Sequence, residues 1–268
     1  MKFMRLKGNL EQSNLDNRLG YDPEILEFYL SDRDLQDPDL IRDRIRQLHH
    51  RGVKPYLHHP PVHQGEYLDI LSGNPLVRRF YNESCELLAR ICEEERAKCV
   101  VHAHYVHTDS CRNVTRERTV LLREEIRKVM AYSKEVFVWE DSTEGIFSYG
   151  RNPYLIDDLI VPLELPLTVD VSHTFISFGG DNERLRDVLE RTSPYAQYYH
   201  LVDSAGIEHD SLPLGRGRID WRMVKPLVLG KDFIFEITLS GDHFDCAPMV
   251  DSARYFAGVE AEDKVVAE

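Results

Sequence analysis

The chain has 268 residues, 42% of them hydrophobic and 29% charged, with a formal net charge of −13. That apolar content is ordinary for a globular protein and supplies a sizeable core, while the longest apolar runs, such as "LIVPLELPLTV", are broken by prolines and acids and are too short to span a bilayer. The negative charge repels a polyanion on average and lowers the odds of a nucleic-acid partner without excluding one, since a local basic patch can hide in an acidic total.

The N-terminal "MKFMRLKGNL" has no apolar stretch followed by a small-residue cleavage site, so no signal peptide is expected. Five cysteines, an odd number with no CxxC spacing, read as small buried apolar residues in a reducing cytoplasm.

In chain order, short apolar strands alternate with longer amphipathic segments. Strands are expected at 3–10 ("FMRLKGNL") and 24–31 ("EILEFYLS"), and "EQSNLDNRLGYDP" between them leaves little room for a full helix. "DPDLIRDRIRQLHHRG" reads as a helix with an aspartate cap and a glycine stop, leading to a third strand at 53–59 ("VKPYLHH"). "NPLVRRFYNESCELLARICEEERAK" is the next helix, then a strand at 98–105 ("KCVVHAHY"), a helix in "TRERTVLLREEIRKVMAYS" and a strand at 135–140 ("EVFVWE"). A sixth strand falls at 166–172 ("PLTVDVS"), and the helix "DNERLRDVLERT" leads to a seventh at 196–203 ("AQYYHLVD"). "IDWRMVKPLVLG" precedes the eighth, "DFIFEITL", at 232–239. Eight such units in about 250 residues predict a parallel sheet closed as a (β/α)8 barrel. No linker or shift in composition interrupts it, so one domain over 1–268 is expected. A doubly wound open sheet is the alternative.

A barrel of this kind carries its chemistry at the C-terminal ends of its strands. Six of the eight strands end in imidazole or carboxylate: His58-His59, His102 and His104, Glu140, Asp170 with His173 just beyond, His200 and Asp203, and Glu236. Taken singly, a histidine at a strand end is more often a hydrogen-bonded structural residue. The carboxylates carry more weight, because Glu140 follows "VFVW", Asp170 follows "LTV" and Glu236 follows "FIF". Three acids in a dry barrel mouth would repel one another, and a divalent cation is the simplest compensation. Mixed His, Asp and Glu donors suit zinc, manganese, iron or cobalt. In "DVSH" and "HLVD" both polar residues can face one pocket, with Asp203 expected to orient a neighbour rather than bind metal. "LGRGR" brings Arg216 and Arg218 near the mouth, where they can meet a phosphate or carboxylate; His63 and His107 lie in loops within reach of a substrate.

The ordered set "HHP" (58–60), "VVHAH" (100–104), "WEDSTEG" (139–145), "VDVSH" (169–173), "HLVDSAG…LGRGRIDW" (200–221) and "FEITLSG" (235–241) resembles the xylose isomerase-like barrel superfamily, which includes sugar isomerases, epimerases and the endonuclease IV family. The resemblance implies that Glu140, Asp170, His200 and Glu236 are the four ligands of one metal, as in the epimerase branch. It implies that His173 contacts substrate there, and that it is an added metal ligand in the endonuclease branch. His58 (or His59) and His102 match histidines that hold a further zinc in that second branch. His209 lies near the last ligands of that branch, but the aspartate-x-histidine pair expected before it is absent, which leaves it between substrate contact and a third metal.

Two activities follow as expectations. The first is a metal-dependent isomerase or epimerase acting on a small sugar or sugar phosphate, with Glu140 and Glu236 as acid and base, His173 as the next proton-transfer candidate, and His102, His209 and Arg216 as substrate contacts. The second is an endonuclease IV-like phosphodiesterase acting on abasic DNA, with His58 and His102 as metal ligands. The negative charge and the lack of a recognisable basic DNA-penetrating loop stand against the second.

Overall fold

The computed structural model describes residues 3–239 and 245–260. Its elements are β1 (Arg5–Gly8), α1 (Gln12–Leu19), β2 (Ile25–Tyr29), α2 (Pro38–His50), β3 (Lys54–His58), β4 (Val62–His63), β5 (Glu66–Tyr67), α3 (Pro75–Glu95), β6 (Lys98–His102), α4 (Arg116–Met130) and β7 (Phe137–Glu140). A π-helical segment (Leu155–Ile160) then runs into α5 (Val161–Leu163), followed by β8 (Leu167–Asp170), α6 (Val171–Ser177), α7 (Asn182–Thr192), β9 (Ala196–Leu201), α8 (Trp221–Val228), β10 (Asp232–Phe235) and α9 (Ala247–Gly258).

Eight strands form one sheet in the order β1-β2-β3-β6-β7-β8-β9-β10, every pairing parallel. The sheet curls until β1 returns beside β10. There Arg5 Nη1 donates to the Lys231 carbonyl at 3.2 Å, and the guanidinium lies 4.1 Å from the centre of the Phe233 ring. This is the expected (β/α)8 barrel. β4 and β5 add a small antiparallel hairpin after β3 that the sequence pattern did not announce.

Strand side chains alternate between two faces, so each barrel strand has an outward and an inward set. Outward residues such as Leu26, Phe28, Leu57, Trp139, Val169 and Leu201 are buried in the main core that the helices cover. Amphipathic α2 contributes Ile41, Ile45 and Leu48 to the buried part of the molecule; it starts at Pro38 with the Asp37 carboxylate accepting from Leu40 N at 3.1 Å. Inward, Ile25, Tyr56, Val100, Val138, Tyr198 and Ile234 form a separate apolar floor, with the Tyr56 and Tyr198 rings stacked at 4.0 Å.

Two helices depart from the reading above. α1 is a real two-turn helix, held by Leu15 and by Arg18, whose Nε donates to the Lys7 carbonyl at 3.1 Å. Its anchoring is largely polar, which is why periodicity missed it. α6 begins directly after Asp170, so His173 stands in the first turn of a helix.

Candidate metal centre

Moving two residues along each strand from the apolar floor reaches the same face one layer higher. Ile25 is followed in this way by Glu27, Tyr56 by His58, Val100 by His102, Val138 by Glu140, Tyr198 by His200 and Ile234 by Glu236. The change from apolar to ionisable residues is therefore a change of layer inside the barrel, at its C-terminal mouth.

Glu140, Asp170, His200 and Glu236 each offer one donor atom, all within 4.8 Å of one another. His200 Nδ1 lies 3.0 Å from Glu140 Oε1 and 2.5 Å from Glu236 Oε2. Asp170 has a double role. Its Oδ1 caps α6, accepting from His173 N and Ser172 Oγ at 2.8 Å each, while its buried Oδ2 has no hydrogen-bond partner. A buried carboxylate oxygen without a donor, beside two more carboxylates and an imidazole, is the environment a divalent cation satisfies. The residues present fit such an ion.

A second group, His58, His102 and Glu140, shares Glu140 with the first. His102 Nε2 is 2.9 Å and His58 Nε2 is 3.3 Å from Glu140 Oε2. His58 donates Nδ1–H to the His59 carbonyl at 2.9 Å, which leaves Nε2 facing the site. His59 itself turns out of the barrel, its Nε2 2.7 Å from Ser84 Oγ. His104 is likewise structural: its Nε2 accepts from Phe147 N at 3.1 Å, and Nδ1 lies 3.2 Å from the Tyr105 carbonyl. Of each histidine pair in the sequence, only His58 and His102 face the centre.

His173 lies on the outer side of the cluster. Its Nδ1 donates to the Asp141 carbonyl at 2.8 Å, and its Nε2 meets His209 Nε2 at 3.0 Å. Among the described residues no third donor completes a metal group around this pair. Arg216 is exposed on the loop after β9, and none of the hydrogen bonds described joins its side chain to the cluster. Asp203, expected to orient a neighbouring ligand, does not touch His200. It accepts from Ser204 N, Ile219 N, Gly215 N and Trp221 Nε1 at 2.8–3.2 Å and so ties the loop 203–221 together. Gly217 is required there, because a Cβ on it would lie 2.2 Å from Asp203 Oδ1. His243 and the end of the "FEITLSG" motif lie outside the described residues.

Two inward residues escaped the sequence reading. Glu27 is fully buried, with Oε2 2.9 Å from His200 Nε2. Lys7 Nζ is 3.4 Å from Glu27 Oε1 and forms a close ion pair with Glu236. An acid inside the apolar run "ILEFY" was the signal for Glu27. Lys7, in a short polar strand, gave none.

The charges reinforce one another. Burial alone would raise the Glu140 and Glu236 carboxyls, yet His200, with His102 for Glu140 and Lys7 for Glu236, holds both well below the usual carboxylate range. Burial alone would lower His173, but Asp170, Glu140 and Asp141 outweigh it and lift the imidazole to about 9. Asp141, pushed up to about 8 mainly by burial, accepts from Asp170 N and Thr174 Oγ1 at 2.9 and 3.0 Å. Beside the cluster opens a cavity of about 420 Å³, lined in part by Lys7, Asn9, Tyr29, His209, Ser211 and Glu236.

A family model for the xylose isomerase-like TIM barrel matches residues 18–241, most of the chain. The protein belongs to the xylose isomerase-like TIM barrel family. Solved structures agree on the fold of this xylose isomerase-like barrel. A D-tagatose 3-epimerase-like protein superposes with a TM-score of 0.73 at 14% identity, covering 94% of this chain and 96% of the other. The TTHB071 protein from Thermus thermophilus, soaked with ZnCl2, gives 0.68 at 19% identity over 95% and 97%. An L-ribulose 3-epimerase gives 0.67 at 16% identity over 94% and 90%. At these identities the likeness is one of fold. No curated protein matches the sequence. No helix among the described residues is long and apolar enough to cross a membrane.

Proposed function

We propose that this barrel is a metal-dependent isomerase or epimerase acting on a small sugar or sugar phosphate. The observation that carries the reading is the inward layer of Glu140, Asp170, His200 and Glu236, four residues with converging donors, of which Asp170 has a buried Oδ2 without a hydrogen-bond partner. Several solved structures that share the fold are sugar 3-epimerases by name, which supports the substrate class.

Glu140, Asp170, His200 and Glu236 would hold the cation, which when bound offsets negative charge developing on adjacent oxygens of the substrate. The chain's own groups do the rest. Glu236 borders the cavity and stands ionised beside Lys7, so it is placed to take a proton from a carbon acid held there. Glu140, closed in by His58 and His102, faces the same point from β7. To complete a two-base reaction it must first take up a proton of its own, which it then delivers to the opposite face, while the proton removed stays on Glu236 until solvent takes it. His173 closes the outer rim with His209, their Nε2 atoms 3.0 Å apart, and a substrate hydroxyl that reaches this rim would take the place of that contact. The test is deuterium exchange from solvent into ketose and aldose substrates, with metal content measured in parallel. Glu140→Gln and Glu236→Gln should each abolish exchange. Variants that keep their metal and exchange at the parent rate would remove both residues from the proton path.

The His58–His102–Glu140 group gives one observation in favour of a second reading, an endonuclease IV-like phosphodiesterase with more than one metal. Metal stoichiometry separates the two: one ion per chain goes with proton transfer on a sugar. Two or three ions, nicking of abasic DNA and no sugar exchange go with the hydrolase, in which His58 and His102 become ligands.

A further inference from the structure

His200 has two ring nitrogens and both are engaged. Nδ1 faces Glu140 and Glu236, while Nε2 lies 2.9 Å from Glu27 Oε2. Glu27 is fully buried and borders none of the cavity beside the cluster, so it has no surface on which to meet a substrate. Its surroundings suit one task. An imidazole that gives one nitrogen lone pair to a cation must keep its proton on the other nitrogen, and a fixed carboxylate is the acceptor that holds it there.

The charge balance agrees. Glu140, Asp170 and Glu236 already place three carboxylates around the centre, and a fourth would be costly in so dry a place. Lys7 Nζ, 3.4 Å from Glu27 Oε1, cancels that fourth charge. Because Lys7 also pairs with Glu236, β1, β2, β9 and β10 are joined into one chain of contacts behind the cluster.

We propose that Glu27 is a positioning residue, whose carboxylate holds the Nε2 proton of His200 and so aims the Nδ1 lone pair at the cation. The proposal rests on the metal reading above and assigns a role to a residue outside the ligand set.

The test uses the full chain loaded with zinc. Histidine-ring 15N NMR shows which nitrogen of His200 carries the proton, the His200 signal being identified by its loss in His200→Gln. Chelator competition gives the zinc dissociation constant of the parent, Glu27→Gln and Glu27→Ala. The expected spectrum has the proton on Nε2 and the metal on Nδ1. Zinc affinity should fall about 10–100-fold in Glu27→Ala. It should fall less in Glu27→Gln, whose amide oxygen can still accept the Nε2 proton. Should Glu27→Ala fail to fold, the parent spectrum and Glu27→Gln still decide, the Nε2 proton of Glu27→Gln moving upfield as its acceptor weakens. Metal found on Nε2, or a Glu27→Gln variant with parent affinity and an unmoved Nε2 proton, overturns the positioning role. A parent chain that binds neither zinc nor manganese overturns the metal reading and this proposal together; tight parent binding with unchanged variants overturns this proposal alone.

Discussion

Adjacent residues of one type have opposite fates here. His58 faces the charged layer, and His59, one residue on, is buried against α3 beside Ser84. His102 and His104 divide in the same way, the second being needed by the Phe147 amide. Burial pushes His59 down to about 3 and His104 down to about 4, so both are neutral in the folded chain near neutral pH. An unfolded histidine binds its proton near pH 6.5. A depressed folded value therefore means that stability is complete above pH 6.5 and is lost as the pH falls toward 4, at about 3 kcal/mol for His104 over that interval. Urea midpoints should drop from pH 7 to pH 5, and the drop should shrink in His104→Gln. Asp203 gives a second expectation at this scale. Asp203→Ala strands four buried or half-buried donors, including Trp221 Nε1, and should cost about 3 kcal/mol in thermal unfolding. Since Asp203 touches no member of the cluster, metal affinity in the folded fraction should stay close to the parent's.

At the level of elements, the site is a property of strand alternation. Two residues above each member of the apolar floor stands an ionisable residue, so the transition occurs at one height around most of the barrel. The strand-to-helix junction at Asp170 uses one carboxylate for two tasks, capping α6 through Oδ1 and contributing a donor to the cluster, with Oδ2 buried and unpartnered. Asp170→Asn keeps an oxygen for the cap and loses the charge. It should change unfolding free energy by less than about 1 kcal/mol while lowering metal affinity at least tenfold, as titration calorimetry would show. Asp37→Ala is the opposite control: it removes an exposed cap of α2 at a cost of about 1 kcal/mol and should leave metal affinity unchanged. The fate of α6 explains why sequence pattern ran the sixth strand on to 172 and left His173 just beyond it. "VSHTFIS" is too short to show a helical period, and only the cap at Asp170 marks its start.

For the whole molecule, the centre draws donors from β7, β8, β9 and the residue after β10, with further charges from β1 and β2. An ion bound there ties the barrel across its diameter and has no equivalent in the unfolded chain. Free metal at 100 times its dissociation constant should add about 2.7 kcal/mol to unfolding, and chelation should remove it. The check is calorimetry with zinc or manganese, then with EDTA. A melting temperature indifferent to both would leave the cluster without an ion.

The barrel, the order of its eight strands and the converging carboxylates could be read from the chain because they rest on local signals: alternation of apolar runs, helix caps, and acids closing apolar strands. Glu140, Asp170, His200 and Glu236 stand out for this reason, each ending a hydrophobic run or opening a polar loop. The choice between His58 and His59, the partner of His200 and the task of Asp203 were beyond such signals. Each depends on which way a side chain turns once the sheet has closed and on what a strand distant in sequence brings to meet it. Glu27 and Lys7 reach His200 and Glu236 across 173 and 229 residues of chain, and only closure of β1 against β10 makes them neighbours.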